Sequence, residues 1–397
     1  MPWLETDVRE QRMQFVVEAT RPGANVSALC RGYGISRKTG YRWLGRYQAG
    51  RSLTGLIERS RRPHASPGRT VSATIARIVA LRQQFGWAGR KLQRLLAAEG
   101  IACSTATIDR VIRREGLVDP RESHRPALKR FQRAAPNELW QMDFKGQYPV
   151  ESGAWCYPLS VLDDHSRYAI GLFALRGTAA GPVQDALRSC FDRYGVPLAM
   201  LVDHGVPWWA PANGHGLTTF SVGLINQGID LIYSGIRHPQ TQGKVERFHR
   251  TLGRRLRQWG VPSVFAGFPA ALDRFRTEYN EIRPHEATDL LPPARRYTPS
   301  PRAYQSQPPA WDYPTDLEIR RVDQAGCISE AGRRLFVCGA LVGQWVGCQR
   351  FAEQLLVRYR HLYVREIDLT TGASRPILAR TTPVAAGMGN INVLPMS

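Results

Sequence analysis

Two aspartates lie in sequence positions where a carboxylate needs a charged partner. Asp143 lies within the apolar run Leu139–Phe144, and Asp203 ends the run Pro197–Asp203 just before a glycine turn. Both runs predict β-strands. A carboxylate in or at the end of a hydrophobic strand is costly unless a charged group meets it. Mg²⁺ is suited to such a place, because it binds a few carboxylate oxygens and keeps waters or substrate phosphates as its other ligands.

A third carboxylate, Glu246, lies on a predicted helix between Gly243 and Gly260. The apolar residues of this segment form one helical stripe: Val245, Phe248, Leu252, Leu256 and Trp259. Glu246 lies off the stripe, and three cationic side chains share its face: His249, Arg250 and Arg257. Taken alone, this pattern is equally typical of a solvated surface ion pair, which contributes little to stability.

Three sequence blocks together resemble the catalytic signatures of bacterial insertion-sequence transposases. They are Trp140-Gln-Met-Asp143, Asp203-His-Gly and Gln242-Gly-Lys-Val-Glu246-Arg-Phe-His-Arg-Thr. These transposases share the retroviral-integrase-type core, in which an Asp-Asp-Glu triad lies on a ribonuclease H-like fold. The similarity runs from the N-terminal region to about Tyr297. It implies that Asp143, Asp203 and Glu246 are catalytic and bind metal.

The resemblance also implies a mechanism. Two Mg²⁺ ions about 4 Å apart would align a nucleophile and neutralise the developing charge, with Asp143 bridging both ions and Asp203 and Glu246 each holding one. Mn²⁺ is expected to substitute. Water would first expose a 3′ hydroxyl at the element end, and that hydroxyl would then attack target DNA. Four residues near Glu246 are expected to bind DNA phosphates: Lys244, His249, Arg250 and Arg257.

Three features depart from the family pattern and leave the triad intact. Glu246 follows Asp203 by 43 positions, several more than is usual, and the excess falls in the Trp208–His215 region. His204 stands where relatives tend to have Asn. Gly253 stands seven residues beyond Glu246, where relatives often carry Lys or Arg.

The charge distribution indicates a polyanionic partner. The net charge is +21, and residues 1–133 contain 26 Lys+Arg against 10 Asp+Glu. A basic field segregated in this way is typical of nucleic-acid binding. No apolar run reaches the length of a membrane span, and the N-terminus has no signal-peptide pattern. The seven cysteines include no Cys-x-x-Cys pair, which favours a reducing cytoplasm and argues against a structural zinc site. The resemblance to bacterial transposases implies that this is the bacterial cytoplasm, with the protein associated with the nucleoid.

Residues 1–60 predict a first helix-turn-helix domain. Asn25 and Ser27 are candidate caps for a short second helix, and Ser36 for a third helix, Arg37–Gln48. A recognition helix reads base edges with residues near its N-terminus. The candidate DNA-binding residues here are Arg37, Lys38, Thr39 and Arg42. Packing of these helices as a plain bundle is the alternative.

Residues 61–120 predict a basic, Pro-rich linker and then a second helix-turn-helix domain. Its helices are expected at 72–85, 89–99 and 106–115, the last with Arg110, Arg113 and Arg114 exposed to DNA. A basic linker is expected at 121–136. Two reading heads in tandem suit a long, asymmetric DNA end.

The predicted fold is multidomain. Alternating strands and helices in 137–298 predict an α/β ribonuclease H-like catalytic core, followed by a Pro-rich linker at 299–316 and a small C-terminal β-barrel at 317–380. Within the core, Asp163, Asp164 and His165 could form a metal site, but a hairpin turn is the favoured interpretation because Asp and Ser bond their own backbone in turns.

The favoured function is a DNA transposase that acts as a homo-oligomer on double-stranded DNA, both element terminal inverted repeats and target. Two alternatives stay open from sequence. One is a metal-dependent nuclease without strand transfer, and the other is a DNA-binding regulator with a relic core. No membrane partner is expected.

Overall fold

The computed structural model describes residues 7–57, 68–118, 132–210, 216–233 and 243–380. Most of both predicted basic linkers, and Gln242 of the block around Glu246, lie outside these ranges. Backbone contacts divide the chain into two compact units, Met1–Ser72 and Ala73–Ser397.

In the ranges described, no helix is both long enough and apolar enough to cross a membrane.

The first unit contains the first predicted helix-turn-helix. Its helices are α1 (Val8–Ala19), α2 (Val26–Gly32) and α3 (Arg37–Gly50), followed by a 3-10 turn at Leu53–Leu56. The predicted caps Asn25 and Ser36 are confirmed, because the Ala28 amide donates to Asn25 Oδ1 at 3.0 Å and the Thr39 amide donates to Ser36 Oγ at 3.1 Å. Ser27, the other candidate, lies within α2. A small core holds the three helices together: Phe15, Val16, Cys30, Trp43 and Leu56.

The second unit begins with the other helix-turn-helix. Its helices are α4 (Ser72–Phe85), α5 (Gly89–Ala98) and α6 (Thr105–Arg114). Ser104 caps α6 through a 3.2 Å bond from the Thr107 amide. α5 and α6 approach closely where α5 begins, since a Cβ on Gly89 would lie only 3.1 Å from Thr105 Cγ2. Arg82 closes the fold by donating to the Leu117 carbonyl at the far end of α6.

The middle of the second unit is a mixed sheet of six strands. The strands are β1 (Trp140–Phe144), β2 (Tyr148–Pro149), β3 (Trp155–Asp163), β4 (Ala169–Leu175), β5 (Ala199–Val202) and β6 (Asp230–Tyr233). The main order is β4-β3-β1-β5-β6, and β2 pairs with the start of β3. β1, β3 and β4 are antiparallel, whereas β1, β5 and β6 are parallel.

Four helices accompany this sheet: α7 (Ala180–Tyr194), α8 (Thr219–Asn226), α9 (Gly243–Trp259) and α10 (Gly267–Thr277). Alternate residues of β3 enter different clusters, because Val161 packs with α7 and α8 while Leu162 packs with α9 and α10. The sheet is therefore covered on both faces, as the α/β pattern predicts. α10, which runs into a π-helical turn at Glu278–Ile282, was not predicted.

The C-terminal part forms a five-stranded antiparallel sheet and a hairpin. Its strands are β7 (Glu318–Arg321), β8 (Cys327–Glu330), β9 (Arg333–Phe336), β10 (Trp345–Phe351), β11 (Gln354–Tyr359), β12 (Leu362–Asp368) and β13 (Ser374–Arg380). The sheet order is β13-β12-β11-β10-β7, and β8 pairs with β9. Pairing within the described residues does not close a barrel, so that part of the prediction is not confirmed.

The Pro-rich stretch 299–316 runs along the core. The Val196 amide donates to the Arg302 carbonyl at 2.8 Å, and the Arg302 guanidinium donates to the Gln227 carbonyl at 2.7 Å. α8 in turn shares a core with the C-terminal strands through Val222 and Ile225. These contacts fix the C-terminal sheet to the core.

Candidate active site

The two aspartates are brought together by strand register. β1 and β5 are parallel neighbours in which Gln141 pairs with Leu201. Asp143 and Asp203 each lie two residues beyond that last pair, and the Asp203 charge acts on Asp143. Carboxyl ends of parallel strands are where α/β folds place their sites.

The surroundings of Asp143 raise its pKa to about 7. Burial is the largest cause, because it penalises the charged form, and the neighbouring Asp203 charge is the next. Glu246 adds to this effect, while the Phe144 backbone amide and Lys145 oppose it. The three carboxylates thus share one electrostatic neighbourhood, in which a cation would relieve their repulsion.

Asp203 is held by two donors. Its Oδ1 accepts from the Gly205 amide at 2.9 Å and from the indole Nε1 of Trp208. Trp208 is fully buried and stacks on Phe144, with ring centroids 5.9 Å apart. Trp208 begins the region where the spacing from Asp203 to Glu246 is long, and no role was predicted for it. A large aromatic residue soon after a strand-end aspartate was the available signal.

Glu246 lies on the first turn of α9, exposed. The predicted apolar stripe is confirmed, since Val245, Phe248, Leu252 and Leu256 are all buried. The segment just before α9, residues 234–242, lies outside the described ranges. Within those ranges, no three His, Cys, Asp or Glu side chains converge closely enough to hold a metal ion. Asp203 and Glu246 both act on Asp143 through their charges, and the Asp203 charge has the larger effect.

His249, expected to bind phosphates, lies buried behind Asp143 one turn after Glu246. Its Nδ1 lies 3.7 Å from Asp143 Oδ2, and its Nε2 hydrogen-bonds Ser160 Oγ. Ser160 also donates to the Asp143 carbonyl at 3.1 Å. Burial, assisted by the Lys145 charge, lowers the His249 pKa to about 3, so the ring is neutral. His249 and Ser160 thus tie α9 to β1.

The Asp163–Asp164–His165 segment is a turn, as predicted. Asp163 Oδ2 accepts from the Ser166 amide at 2.7 Å, closing the turn on itself. Asp164 is buried and forms an ion pair with Lys244 on α9. Burial lowers the Lys244 pKa to about 8. Lys244, expected to bind phosphates, thus connects the start of α9 to this turn.

The other predicted DNA-binding residues lie either on α9 or in the two helix-turn-helix units. Arg250 and Arg257 are exposed on α9, on the side of Glu246, whereas Gly253 between them is buried. A Cβ on Gly253 would lie 3.5 Å from Lys145 Cε. In the helix-turn-helix units, the arginines and the lysine are exposed and Thr39 is half-buried: Arg37, Lys38, Thr39, Arg42, Arg110, Arg113 and Arg114.

Four protein families match the chain. A helix-turn-helix domain family matches residues 11–64, and a homeodomain-like domain family matches residues 39–112. Two integrase core domain families match residues 133–210 and 227–293. The break between the two core matches includes part of the region where the spacing from Asp203 to Glu246 is long.

Two insertion-element proteins are similar to the chain. It is 27% identical over 274 residues to an uncharacterized 31.7 kDa protein of insertion element IS407 from Burkholderia multivorans, across 64% of this chain and 93% of that protein. It is 26% identical over 252 residues to an uncharacterized 39.2 kDa protein of insertion element IS476 from Xanthomonas euvesicatoria, across 61% of this chain and 70% of that protein.

Solved integrase structures are also similar. The catalytic core domain of BIV integrase is 22% identical, with 40% of this chain and 92% of that chain covered and a TM-score of 0.31. The HTLV-2 integrase catalytic core domain in complex with magnesium is 15% identical, with 42% of this chain and 99% of that chain covered and a TM-score of 0.33.

The domain matches define the class: the chain is an integrase-core protein with helix-turn-helix DNA-binding domains. With its insertion-element relatives, it belongs to the bacterial insertion-sequence transposases that have a retroviral-integrase-like core.

Proposed function

We propose that this protein binds the ends of its own mobile element, cleaves them to expose 3′ hydroxyls and joins these to target DNA. One observation carries the proposal: Asp143 and Asp203 lie at the ends of neighbouring parallel strands, and burial together with the charges of Asp203 and Glu246 raises the pKa of Asp143. Such a cluster is costly without a cation and suits Mg²⁺ or Mn²⁺.

Asp143, Asp203 and Glu246 would hold the metal, two ions in the proposed arrangement. A bound divalent metal supplies charge neutralisation and a strong oxygen nucleophile for phosphodiester chemistry. The chain's own residues prepare this site. Trp208 and the Gly205 amide occupy Asp203 Oδ1 and leave its other oxygen available.

The rest of the chain would deliver DNA to this site. The two helix-turn-helix units present exposed arginines for the terminal repeats, and Arg250 and Arg257 lie on the Glu246 side of α9. Because an element has two ends, we propose that a homo-oligomer assembles on double-stranded DNA. The substrate would be met at the bacterial nucleoid.

The test is joining of a labelled element end to a plasmid by the purified full chain, with Asp143→Asn as the variant. The change removes a metal ligand but leaves both helix-turn-helix units intact, so joining and cleavage should fall at least ~10³-fold while end binding persists. Asp185→Asn, the same change on the exposed surface of α7, should leave joining unchanged.

The melting temperature of Asp143→Asn shows whether a loss of joining could come from misfolding. A carboxylate with a raised pKa stabilises the native state below its unfolded pKa and loses that contribution as pH rises through about 7. Asp143→Asn should therefore match or exceed the wild-type melting temperature at pH 8. Metal-dependent joining by Asp143→Asn would refute the site. Cleavage by the wild type without joining would indicate a nuclease, and binding alone a regulator.

A further inference from the structure

Four basic side chains from three segments converge beside the second helix-turn-helix. They are Lys91 on α5, Arg247 and Arg254 on α9, and Arg283 just beyond the π-helical turn, here called the basic cluster. Arg254 and Arg283 line one small pocket together with Trp87. The charges of all three arginines act on Lys91, and Glu286 is the acidic group that opposes them. None of these residues belongs to the carboxylate site.

The like charges of the basic cluster repel one another, so the cluster does not stabilise the native fold. Burial and then the Arg283 charge lower the Lys91 pKa to about 7, so its protonated form is disfavoured. The Arg283 guanidinium lies over the Trp87 ring, 5.4 Å from its centroid. Its Nε is buried and, within the described part of the chain, has no hydrogen-bond partner; the same holds for His285 Nε2. Buried donors of this kind usually have partners.

The basic cluster lies between the second helix-turn-helix and α9, the helix that carries Glu246. α5 begins at Gly89, against Thr105 at the start of α6, and Lys91 lies in that first turn of α5. The N-terminal end of α6 is the part that a recognition helix presents to bases. At the other side of the cluster, Arg247 is the residue next to Glu246. DNA read by α6 would therefore pass the cluster on its way to the active site.

The spacing distinguishes an extended polyanion from a small anion. Arg247 and Arg254 are both exposed and lie seven residues apart on α9, about 10 Å along a helix axis. One phosphate cannot contact both ends of such a row, whereas successive backbone phosphates can. Arginine forks also match phosphate geometry well.

We propose that the basic cluster is a binding site for the phosphodiester backbone of duplex DNA, between the α6 reading head and Glu246. The inference rests on the proposed function in so far as DNA is the substrate. It adds Arg247 and Arg254 to the phosphate contacts proposed for Arg250 and Arg257, on a different side of α9.

The experiment measures binding of a fluorescein-labelled, mixed-sequence duplex to the full chain in EDTA, over a series of salt concentrations. Lys91→Met, Arg247→Gln and Arg254→Gln should each reduce the slope of log affinity against log salt by about 1, because each contact releases about one counterion. At the lowest salt, affinity should fall about tenfold per variant, on every sequence.

Arg188→Gln is the matched control, because Arg188 is an exposed arginine of α7 away from the cluster. It should leave the slope unchanged. Arg254→Lys keeps the charge and should retain the slope. Melting temperatures must not fall in Lys91→Met, since removing a charge opposed by three arginines relieves repulsion. Unchanged slopes in all three cluster variants, or an equal loss in Arg188→Gln, would overturn the proposal.

The metal-free assay separates this inference from the proposed function. If wild-type protein binds with the expected slopes but never joins DNA with Mg²⁺ or Mn²⁺, the transposase proposal fails and the backbone site stands. If the wild type joins DNA while the cluster variants bind normally, the backbone site fails alone.

Discussion

The two helix-turn-helix units have the same cap but differently placed charges. In both, a serine caps the third helix and its hydroxyl lies 2.9 Å from that of a threonine three residues later, in Ser36–Thr39 and Ser104–Thr107. α3 begins with Arg37 and Lys38. α6 begins with Thr105, Ala106 and Thr107, and two of its arginines, Arg113 and Arg114, lie in the last turn.

Their packing differs as well. The first helix-turn-helix has its own core and lies in the compact part of the chain that ends at Ser72. The second is attached to the catalytic core, because Arg255 on α9 donates to the Gln84 carbonyl at 2.6 Å and Gln258 to the Gln83 carbonyl at 2.7 Å. One scaffold can thus carry its cations in two places: α3 has them at the N-terminal end that a recognition helix presents to bases, whereas two arginines of α6 lie in its last turn.

The largest expected effect comes from the joint between the second unit and α9. Arg255 is buried and paired with Glu278. Arg255→Met leaves the Glu278 carboxylate, whose side chain is only 13% exposed, without its partner. The unfolding free energy should therefore fall by about 3–5 kcal/mol, with a parallel loss of DNA joining. Urea unfolding measures the first and the plasmid assay the second. Arg255→Met with Glu278→Leu should recover most stability; no recovery would mean that the pair is not the cause.

A second effect concerns Lys91. Its depressed pKa means that the unfolded chain binds a proton that the native chain lacks between pH 7 and 10, so stability should rise with pH there, by up to about 1.4 kcal/mol per unit. Lys91→Met should lack this rise and be more stable at pH 7. The difference between the two proteins in urea titrations at pH 7, 8.5 and 10 isolates the effect. A constant difference would contradict it.

A third, smaller effect separates base reading from backbone binding. Arg37→Ala should cost about 1–3 kcal/mol against the correct end and little against unrelated DNA, because base contacts carry specificity. Arg113→Ala should instead weaken binding to all duplexes alike, since backbone contacts are insensitive to sequence. Competition assays with specific and random duplexes measure both. Equal behaviour of the two variants would remove the distinction drawn between α3 and α6.

The smallest effect tests the shared cap. Ser36→Ala should destabilise the first unit by about 1 kcal/mol, because the Thr39 amide loses its acceptor. Ser104→Ala removes the same bond from the Thr107 amide in a larger cooperative unit. Hydrogen exchange of the Thr39 and Thr107 amides should increase in the respective variants. Unchanged protection at Thr39 would show that another group caps α3.

The features that were predicted correctly from the sequence are those that depend on local signals. The apolar stripe of α9, the caps Asn25 and Ser36, and the Asp163 turn depend on neighbours within a few residues, so the sequence pattern was sufficient. α10 was not predicted. Of the hairpin β8–β9, only the second strand was expected. The barrel was not confirmed, because closure depends on strand pairing that no local pattern encodes.

The sequence by itself determined the chemistry available: three carboxylates, an arginine-rich first third and two helix-turn-helix units whose third helices are capped by serine. Only the tertiary structure decided how these groups are used. Parallel register set Asp143 beside Asp203, burial made His249 neutral and paired Lys244 with Asp164, and docking against α9 placed Lys91 among arginines. The reason is physical: helix and turn signals act over a few residues, whereas register, burial and charge clustering arise between segments far apart in the chain.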